Sequence, residues 1–209
     1  MKTITIFLAA ATFLAACNEN NSTKKIAKKG AIDGAHQHTE SKNVMMKAMD
    51  ESMLAMHKVK ESGNADYDFA AMMIPHHEGA LTMAKAQMES GKSTALLNFS
   101  QRVIAGQEKE IAALEDFLKK GSLAPSKNAE KFKEALNNSM KPMMEGMAKA
   151  KLNGDVDHDF VALMIPHHQS AVDMAKAYLP FAENAKLKKM AIEIYKAQEE
   201  EIKWLKEQL

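Results

Sequence analysis

The chain has 209 residues, of which 17 are Met, eight are His, one is Cys and one is Trp. Its 28 Lys and Arg against 27 Asp and Glu give a formal charge of +1, which argues against a nucleic-acid binder with a general basic surface. A single Cys excludes a disulfide framework, a Cys-type zinc site and an iron–sulfur cluster. Aromatic residues make up only 6%, while the plentiful Ala, Lys, Glu, Leu and Met favour helices.

The first residues have the pattern of an export signal. Lys2 precedes an apolar run over 4–16 that is too short for a stable membrane-spanning helix. The run ends in Leu-Ala-Ala-Cys at Cys17, which resembles the lipobox of bacterial lipoproteins. The resemblance implies cleavage before Cys17 and lipidation of its thiol; an ordinary signal peptide with a chance Cys is the alternative. We therefore expect a signal peptide over 1–16 and a lipid-anchored protein in the bacterial cell envelope, facing the periplasm or the exterior.

Residues 17–43 are polar and predict a flexible tether between the anchor and the domain. They contain His36 and His38, a His-x-His pair that can bind Cu(II) or Zn(II) weakly but that also arises often by chance. We regard this pair as a secondary metal site.

The rest of the chain consists of two tandem repeats of one unit. A shift of 91 residues aligns 45–118 with 136–209 without a gap, and 13 of the 19 residues in 68–86 are identical in 159–177. A feature that recurs in both copies is therefore a better candidate for function than one that occurs once. The predicted units are a first helical repeat, a linker and a second helical repeat: 44–120, 121–128 and 129–209.

Each repeat is predicted to contain three helical stretches. Those of the first repeat are 43–61, 66–90 and 93–120. Those of the second are 129–151, 157–178 and 183–209. Gly63 and Gly154 stand between the first and second stretches in positions that favour the left-handed conformation. The predicted N-caps of the second stretches are acidic: Asp66 or Asp68, and Asp157 or Asp159.

Six helices with short loops and no alternating strand pattern predict an all-α helical bundle. The two repeats could share one core or form separate bundles.

A proline followed by two histidines stands inside the second stretch of both repeats. A proline inside a helix, such as Pro75, removes a backbone hydrogen bond and so disfavours the helix. A locally unfavourable residue that recurs at the same position of both repeats is expected at a functional site. His76 and His77 lie about 100° apart around the helix. His77 shares a face with Met73, and His76 lies on the side of Met83. The equivalent residues of the second repeat are Pro166, His167, His168, Met164 and Met174.

Five methionine positions recur at the same offset and, with the histidines, are the candidate metal ligands. They are Met49, Met53, Met56, Met73 and Met83, and in the second repeat Met140, Met144, Met147, Met164 and Met174. Thioether and imidazole donors without a thiolate suit Cu(I), and Ag(I) by the same chemistry, better than Zn, Mg or Ca. Neither ion is expected to be required for folding. A methionine stripe at helical spacing is also ordinary core packing, which is the alternative interpretation.

The sequence predicts binding rather than catalysis. It has no phosphate-binding loop and no nucleophile motif, and it lacks the Glu-x-x-His motif of ferritin-like di-iron centres. Glu108 and Glu110 recur as Glu199 and Glu201, but a solvated face of the third helix accounts for them. A degenerate ferritin-like di-metal protein remains a further alternative.

The two Met-Ile-Pro-His-His segments, with Ala80 and Met83, resemble bacterial secreted proteins of the domain-of-unknown-function 305 family. The resemblance covers about 45–209 and implies a ferritin-like helical bundle. It also implies a metal role, because the family contains some members that bind copper in the periplasm. Four motif histidines carry over from the family: His76, His77, His167 and His168. The methionine ligands are inferred from spacing.

The predicted function is therefore Cu(I) or Ag(I) sequestration, delivery or resistance through His and Met ligands. The expected partners are the metal ion, the membrane through the lipid anchor, and an unidentified metal-transfer protein, with no nucleic acid. The alternative is an envelope module that binds a partner protein through its helices and uses Met as core filler.

Overall fold

Seven α-helices and one 3-10 turn make up most of residues 43–209, the part of the chain that the computed structural model describes. The helices are α1 (Val44–Lys58), α2 (Ala65–Ser90), α3 (Thr94–Lys120), α4 (Ala129–Ser139), α5 (Lys141–Lys149), α6 (Val156–Tyr178) and α7 (Ala185–Lys206). That part of the chain contains no strand, so the all-α prediction is confirmed. None of its helices combines the length and the apolar character needed to cross a bilayer. The predictions for the signal peptide, Cys17, His36 and His38 fall outside the described residues.

The N-caps predicted for the two central helices are wrong. α2 and α6 begin after Asn64 and Asp155, whose side chains accept hydrogen bonds from the amides of Tyr67 and His158, both at 3.0 Å. Asn and Asp are equally good caps, so several candidates close together in the sequence could not be separated by residue type. The rejected caps are Asp66, Asp68, Asp157 and Asp159.

Asp68 and Asp159 do not cap their helices but instead stabilise the loops that precede α2 and α6. Asp68 accepts a hydrogen bond from the amide of Gly63, and Asp159 accepts one from the amide of Gly154, both at 3.0 Å. The two glycines have φ angles of 81° and 86°, as the sequence predicted, and only glycine adopts this conformation without strain. Each loop is therefore shaped by a glycine and fastened by a carboxylate from the next helix.

The first stretch of the second repeat is broken, although the sequence predicted one helix over 129–151. α4 ends at Ser139 and α5 starts at Lys141, with Pro142 in its first turn, where the missing amide hydrogen costs nothing. The methionines that face inward here differ from the predicted set. Met143 and Met147 are buried, whereas Met144 is 40% exposed.

α2 and α6 form the central pair, and they run antiparallel. The N-terminal end of α2 meets the C-terminal end of α6, where the Tyr178 hydroxyl donates a hydrogen bond to the Asp66 carboxylate. At the other end, the Gln87 amide donates to the Asp157 carboxylate. The shift of 91 residues converts one pair into the other, which shows that the two repeats are related by an approximate two-fold axis.

The other helices surround this pair. α3 packs on α2 and α7 packs on α6, while α1 packs mainly on α2 and also contacts α6. α4 and α5 both pack on α6. The buried apolar side chains of all these helices form one continuous cluster. Of the two arrangements left open by the sequence, the repeats therefore adopt the shared core.

α1 comes unusually close to α2 at Gly79. The Ser52 hydroxyl donates a 2.9 Å hydrogen bond to the Pro75 carbonyl, which holds the two helices together. A Cβ atom at Gly79 would lie 2.6 Å from the Cβ of Ser52 and 3.1 Å from Nε2 of His167. Gly79 is thus required where α1, α2 and α6 meet.

Replacing Gly79 with Ala should lower the free energy of unfolding by about 1–3 kcal/mol, because the added methyl group overpacks the helix contact. Gly106→Ala is the matched control, since a Cβ at this α3 position has no neighbour within 4 Å. It should raise the stability by about 1 kcal/mol through helix propensity alone. Urea unfolding of both variants measures the difference, and equal stabilisation of the two would contradict the close contact.

Candidate metal centre

The two His-His motifs meet in the middle of the α2–α6 pair. All four histidines are 0% exposed. The ring centroids of His76 and His167 are 4.0 Å apart. Within each motif the two ring centroids are farther apart, at 6.1 Å between His76 and His77 and 6.2 Å between His167 and His168. Because His76 and His167 are equivalent residues of the two repeats, their contact lies on the approximate two-fold axis. The two motifs thus form one buried group, which we call the histidine cluster.

The ring nitrogens of the cluster are short of partners. None of the eight ring nitrogens of the cluster makes a hydrogen bond of acceptable geometry. The imidazoles of His76 and His167 each interact with the backbone of the other residue. Nε2 of His77 and of His168 each lie near a carboxylate. A buried polar atom without a partner costs about 1–3 kcal/mol, and folded proteins rarely leave several together. The cluster therefore offers lone pairs that nothing in the described part of the chain uses.

Burial also determines the charge of His76 and His167, which we call the axial histidines because they meet on the approximate two-fold axis. It lowers the pKa of His76 and of His167 well below the ordinary value of 6.5, and the neighbouring histidines lower each pKa further. Both rings are consequently neutral at pH 7. A neutral imidazole can donate a lone pair to a metal, whereas an imidazolium cannot.

His77 and His168, which we call the outer histidines, contact carboxylates. Nε2 of His77 lies 2.9 Å from Oε2 of Glu110 on α3, and Nε2 of His168 lies 2.9 Å from Oε2 of Glu201 on α7. The two carboxylates are 26% and 28% exposed, so they stand between the cluster and the solvent.

The assignment of Glu110 and Glu201 to a solvated helix face was therefore wrong. The signal for their role was present in the sequence. Both residues recur at the repeat offset, and Glu110 stands four residues before the buried Leu114 and three after the buried Gln107. At that spacing it shares their side of α3.

Four of the predicted methionine ligands are buried in the helices that carry the cluster. Met73 and Met83 on α2, and Met164 and Met174 on α6, are all 0% exposed. Met73 and Met164 stand four residues before the outer histidines, which is one helical turn. Met83 and Met174 stand seven residues after the axial ones, which is two turns.

The remaining predicted methionines are placed differently. Met49 is fully buried in α1, Met147 is buried in α5, and Met53 is half-buried. Met56 and Met140 line a separate cavity of about 110 Å³ together with Met72 and His57. The structure does not bring Met144 to the cluster, since this side chain is 40% exposed and the neighbouring Met143 is buried instead.

The available donors favour a soft ion. Within residues 43–209, no three His, Cys, Asp or Glu side chains converge so that they could enclose one ion by themselves. The other soft donors on α2 and α6 are four buried thioethers, those of Met73, Met83, Met164 and Met174. Imidazole with thioether is the donor set that Cu(I) and Ag(I) accept.

Fold and site together define an all-helical protein with a buried histidine–methionine core, built about an approximate two-fold axis. The sequence model of the family described as "Domain of unknown function (DUF305)" matches residues 10–118 and 116–209. The chain belongs to this family. None of the curated protein sequences matches the chain significantly.

Among solved structures, the chain is similar to CopM in several metal-bound forms. The Ag-bound form obtained by soaking is 28% identical with a TM-score of 0.51, and the match covers 68% of this chain and 92% of that one. The Cu(I)-bound form is 28% identical with a TM-score of 0.51, covering 68% and 93%. The Cu(II)-bound form is 26% identical with a TM-score of 0.52, again covering 68% and 93%.

The metal-free protein should lose stability on mild acidification. The pKa of His76 and of His167 is lower in the folded state than in the unfolded chain, so below pH 6.5 the unfolded chain binds more protons. The free energy of unfolding should then fall by up to about 1.4 kcal/mol per pH unit for each of these two residues. Urea unfolding between pH 7 and about pH 5 measures this slope. The His76→Leu, His167→Leu double variant should show a shallower slope, and an unchanged slope would contradict the assignment.

Proposed function

We propose that this protein binds Cu(I) or Ag(I) at the histidine cluster and the methionines beside it. The observation that carries the proposal is the burial of four histidines, whose ring nitrogens make no hydrogen bond, on the same two helices as four buried thioethers. In a core that served stability alone, these nitrogens would lower the stability without benefit. A bound soft cation gives them a partner.

The similarity to CopM supports this proposal. Solved forms of that protein hold Ag, Cu(I) and Cu(II), and it shares a quarter or more of its residues with the aligned part of this chain. The donor set of the cluster favours the monovalent ions, because thioethers bind Cu(I) and Ag(I) better than they bind harder ions.

The proposed role is sequestration, delivery or resistance in the bacterial cell envelope rather than catalysis. Cleavage before Cys17 and lipidation of its thiol would anchor the protein in a membrane. The segment 17–43 would then tether the metal-binding unit, and His36 and His38 would add a weaker site within reach of incoming ions. An export location suits a protein whose partner is a copper or silver ion that has to be handed on or withheld.

The competing interpretation is that the methionines only fill the core. The burial of the four methionines of α2 and α6 is compatible with this, since Met packs well into irregular space. A substitution that keeps volume but removes sulfur distinguishes the two. Met→Leu is such a change and usually costs less than about 1.5 kcal/mol.

The double variant Met83→Leu, Met174→Leu should bind Cu(I) at least roughly tenfold more weakly than the parent chain, a difference of about 1.4 kcal/mol, because it removes one thioether from each repeat. Anaerobic competition with a chromogenic Cu(I) chelator measures the affinity. Met144→Leu is the matched control, since this methionine is exposed and should leave the affinity unchanged.

The axial histidine pair provides the second arm of this experiment. His76→Leu with His167→Leu should abolish the tight uptake, whereas His57→Gln, at an exposed histidine of α1, should not. Helicity measured by circular dichroism should persist in all variants. Equal Cu(I) affinity in the parent, the methionine variant and the axial histidine variant would refute the proposed function.

A further inference from the structure

The outer histidines differ from the axial ones in one respect, which is a carboxylate at Nε2. Glu110 and Glu201 occupy equivalent positions in α3 and α7, and each places a carboxylate oxygen 2.9 Å from the Nε2 atom of a fully buried histidine. Two helices from different repeats thus present the same contact to the same ring atom. A charged group at a solvated helix face has no need of such a match.

The carboxylate determines which nitrogen carries the proton. A negatively charged oxygen at this distance repels a lone pair on Nε2 and attracts an Nε2–H group. Neutral imidazole has a single proton, so with Nε2 protonated the lone pair resides on Nδ1. Neither nitrogen of the His77 and His168 rings makes a hydrogen bond of acceptable geometry, so the two atoms differ by the carboxylate charge 2.9 Å from Nε2. Nδ1 is buried and has no such charged neighbour. In a neutral ring, this arrangement leaves Nδ1 as the one donor atom.

We propose that Glu110 and Glu201 are positioning residues that hold His77 and His168 in the Nε2–H tautomer, so that Nδ1 is the atom each ring offers to the metal. This inference rests on the proposed function. Carboxylates that bind the second nitrogen of a ligating histidine orient the ring and make its donor atom more basic. Loss of such a partner typically weakens metal binding by about 10- to 100-fold.

The exposure of the two carboxylates fits this role. Each is about one quarter exposed, so it keeps part of its hydration, and its charge is not fully buried. The histidines themselves are entirely buried. The ring of Phe99 on α3 also packs near one of them, with its centroid 6.4 Å from that of His168.

The tautomers can be read without metal. Long-range proton–nitrogen NMR correlations of the metal-free, nitrogen-15-labelled chain near neutral pH distinguish a protonated ring nitrogen from one with a lone pair. We expect His77 and His168 to show a protonated Nε2 and a bare Nδ1. The Glu110→Gln, Glu201→Gln variant should lose this preference, because an amide can donate to Nε2 as well as accept from it.

The matched control is Glu108→Gln with Glu200→Gln, at exposed carboxylates of the same two helices. It removes the same charge and should leave the tautomers as they are in the parent. In Ag(I) competition titrations, the Glu110→Gln, Glu201→Gln variant should bind about 10- to 100-fold more weakly than the control at unchanged stoichiometry. Melting temperature and helicity should not differ between the two variants.

Two results would overturn the inference. One is a protonated Nδ1 on His77 and His168 in the parent chain. The other is agreement between the Glu110→Gln, Glu201→Gln variant and its control in both tautomer and Ag(I) affinity. If the parent takes up neither Cu(I) nor Ag(I), the proposed function fails and the metal role of Nδ1 fails with it, while the metal-free tautomers still show whether the carboxylates orient the rings.

Discussion

The contact of His76 with His167 is the point around which this protein is organised. Two equivalent residues can touch only where an approximate two-fold axis passes between them, and this places the axis at the middle of α2 and α6. Because α2 and α6 are antiparallel, this axis runs across both helices, and the two His-His motifs meet in one group. The ends of the crossing are held by equivalent hydrogen bonds, from Tyr178 to Asp66 and from Gln87 to Asp157.

The same crossing creates a conflict between stability and function. It removes four imidazoles from water and leaves most of their ring nitrogens without partners, which opposes folding. The surrounding contacts offset this cost: one continuous apolar cluster, the close approach of α1 at Gly79, and the loops fastened by Asp68 and Asp159. A costly polar group in the middle of a well-packed core is typical of a binding site.

Much of the fold could be predicted because helical periodicity and internal duplication can both be recognised along the sequence. Helical periodicity and the boundary residues Gly63 and Gly154 located the helices to within a few residues. The exceptions are the N-caps and the break before Pro142. The candidate site was predictable only in part. The His-His motifs were predictable as site residues because they recur beside a proline. Glu110 is one of many charged residues of α3, and only its contact with His77 identifies it as part of the site.

By itself, the sequence determined that the chain is all-helical and duplicated, and that histidine and methionine are its soft donors, because periodicity, repetition and residue chemistry are properties of neighbours along the chain. Only the tertiary structure decided that the two repeats share one core, that the four histidines form one buried cluster and that Met144 is left outside it. These outcomes depend on which helix faces meet across about 91 residues of chain. No local pattern specifies such a pairing, since the same amphipathic helices could bury their apolar faces in one bundle or in two.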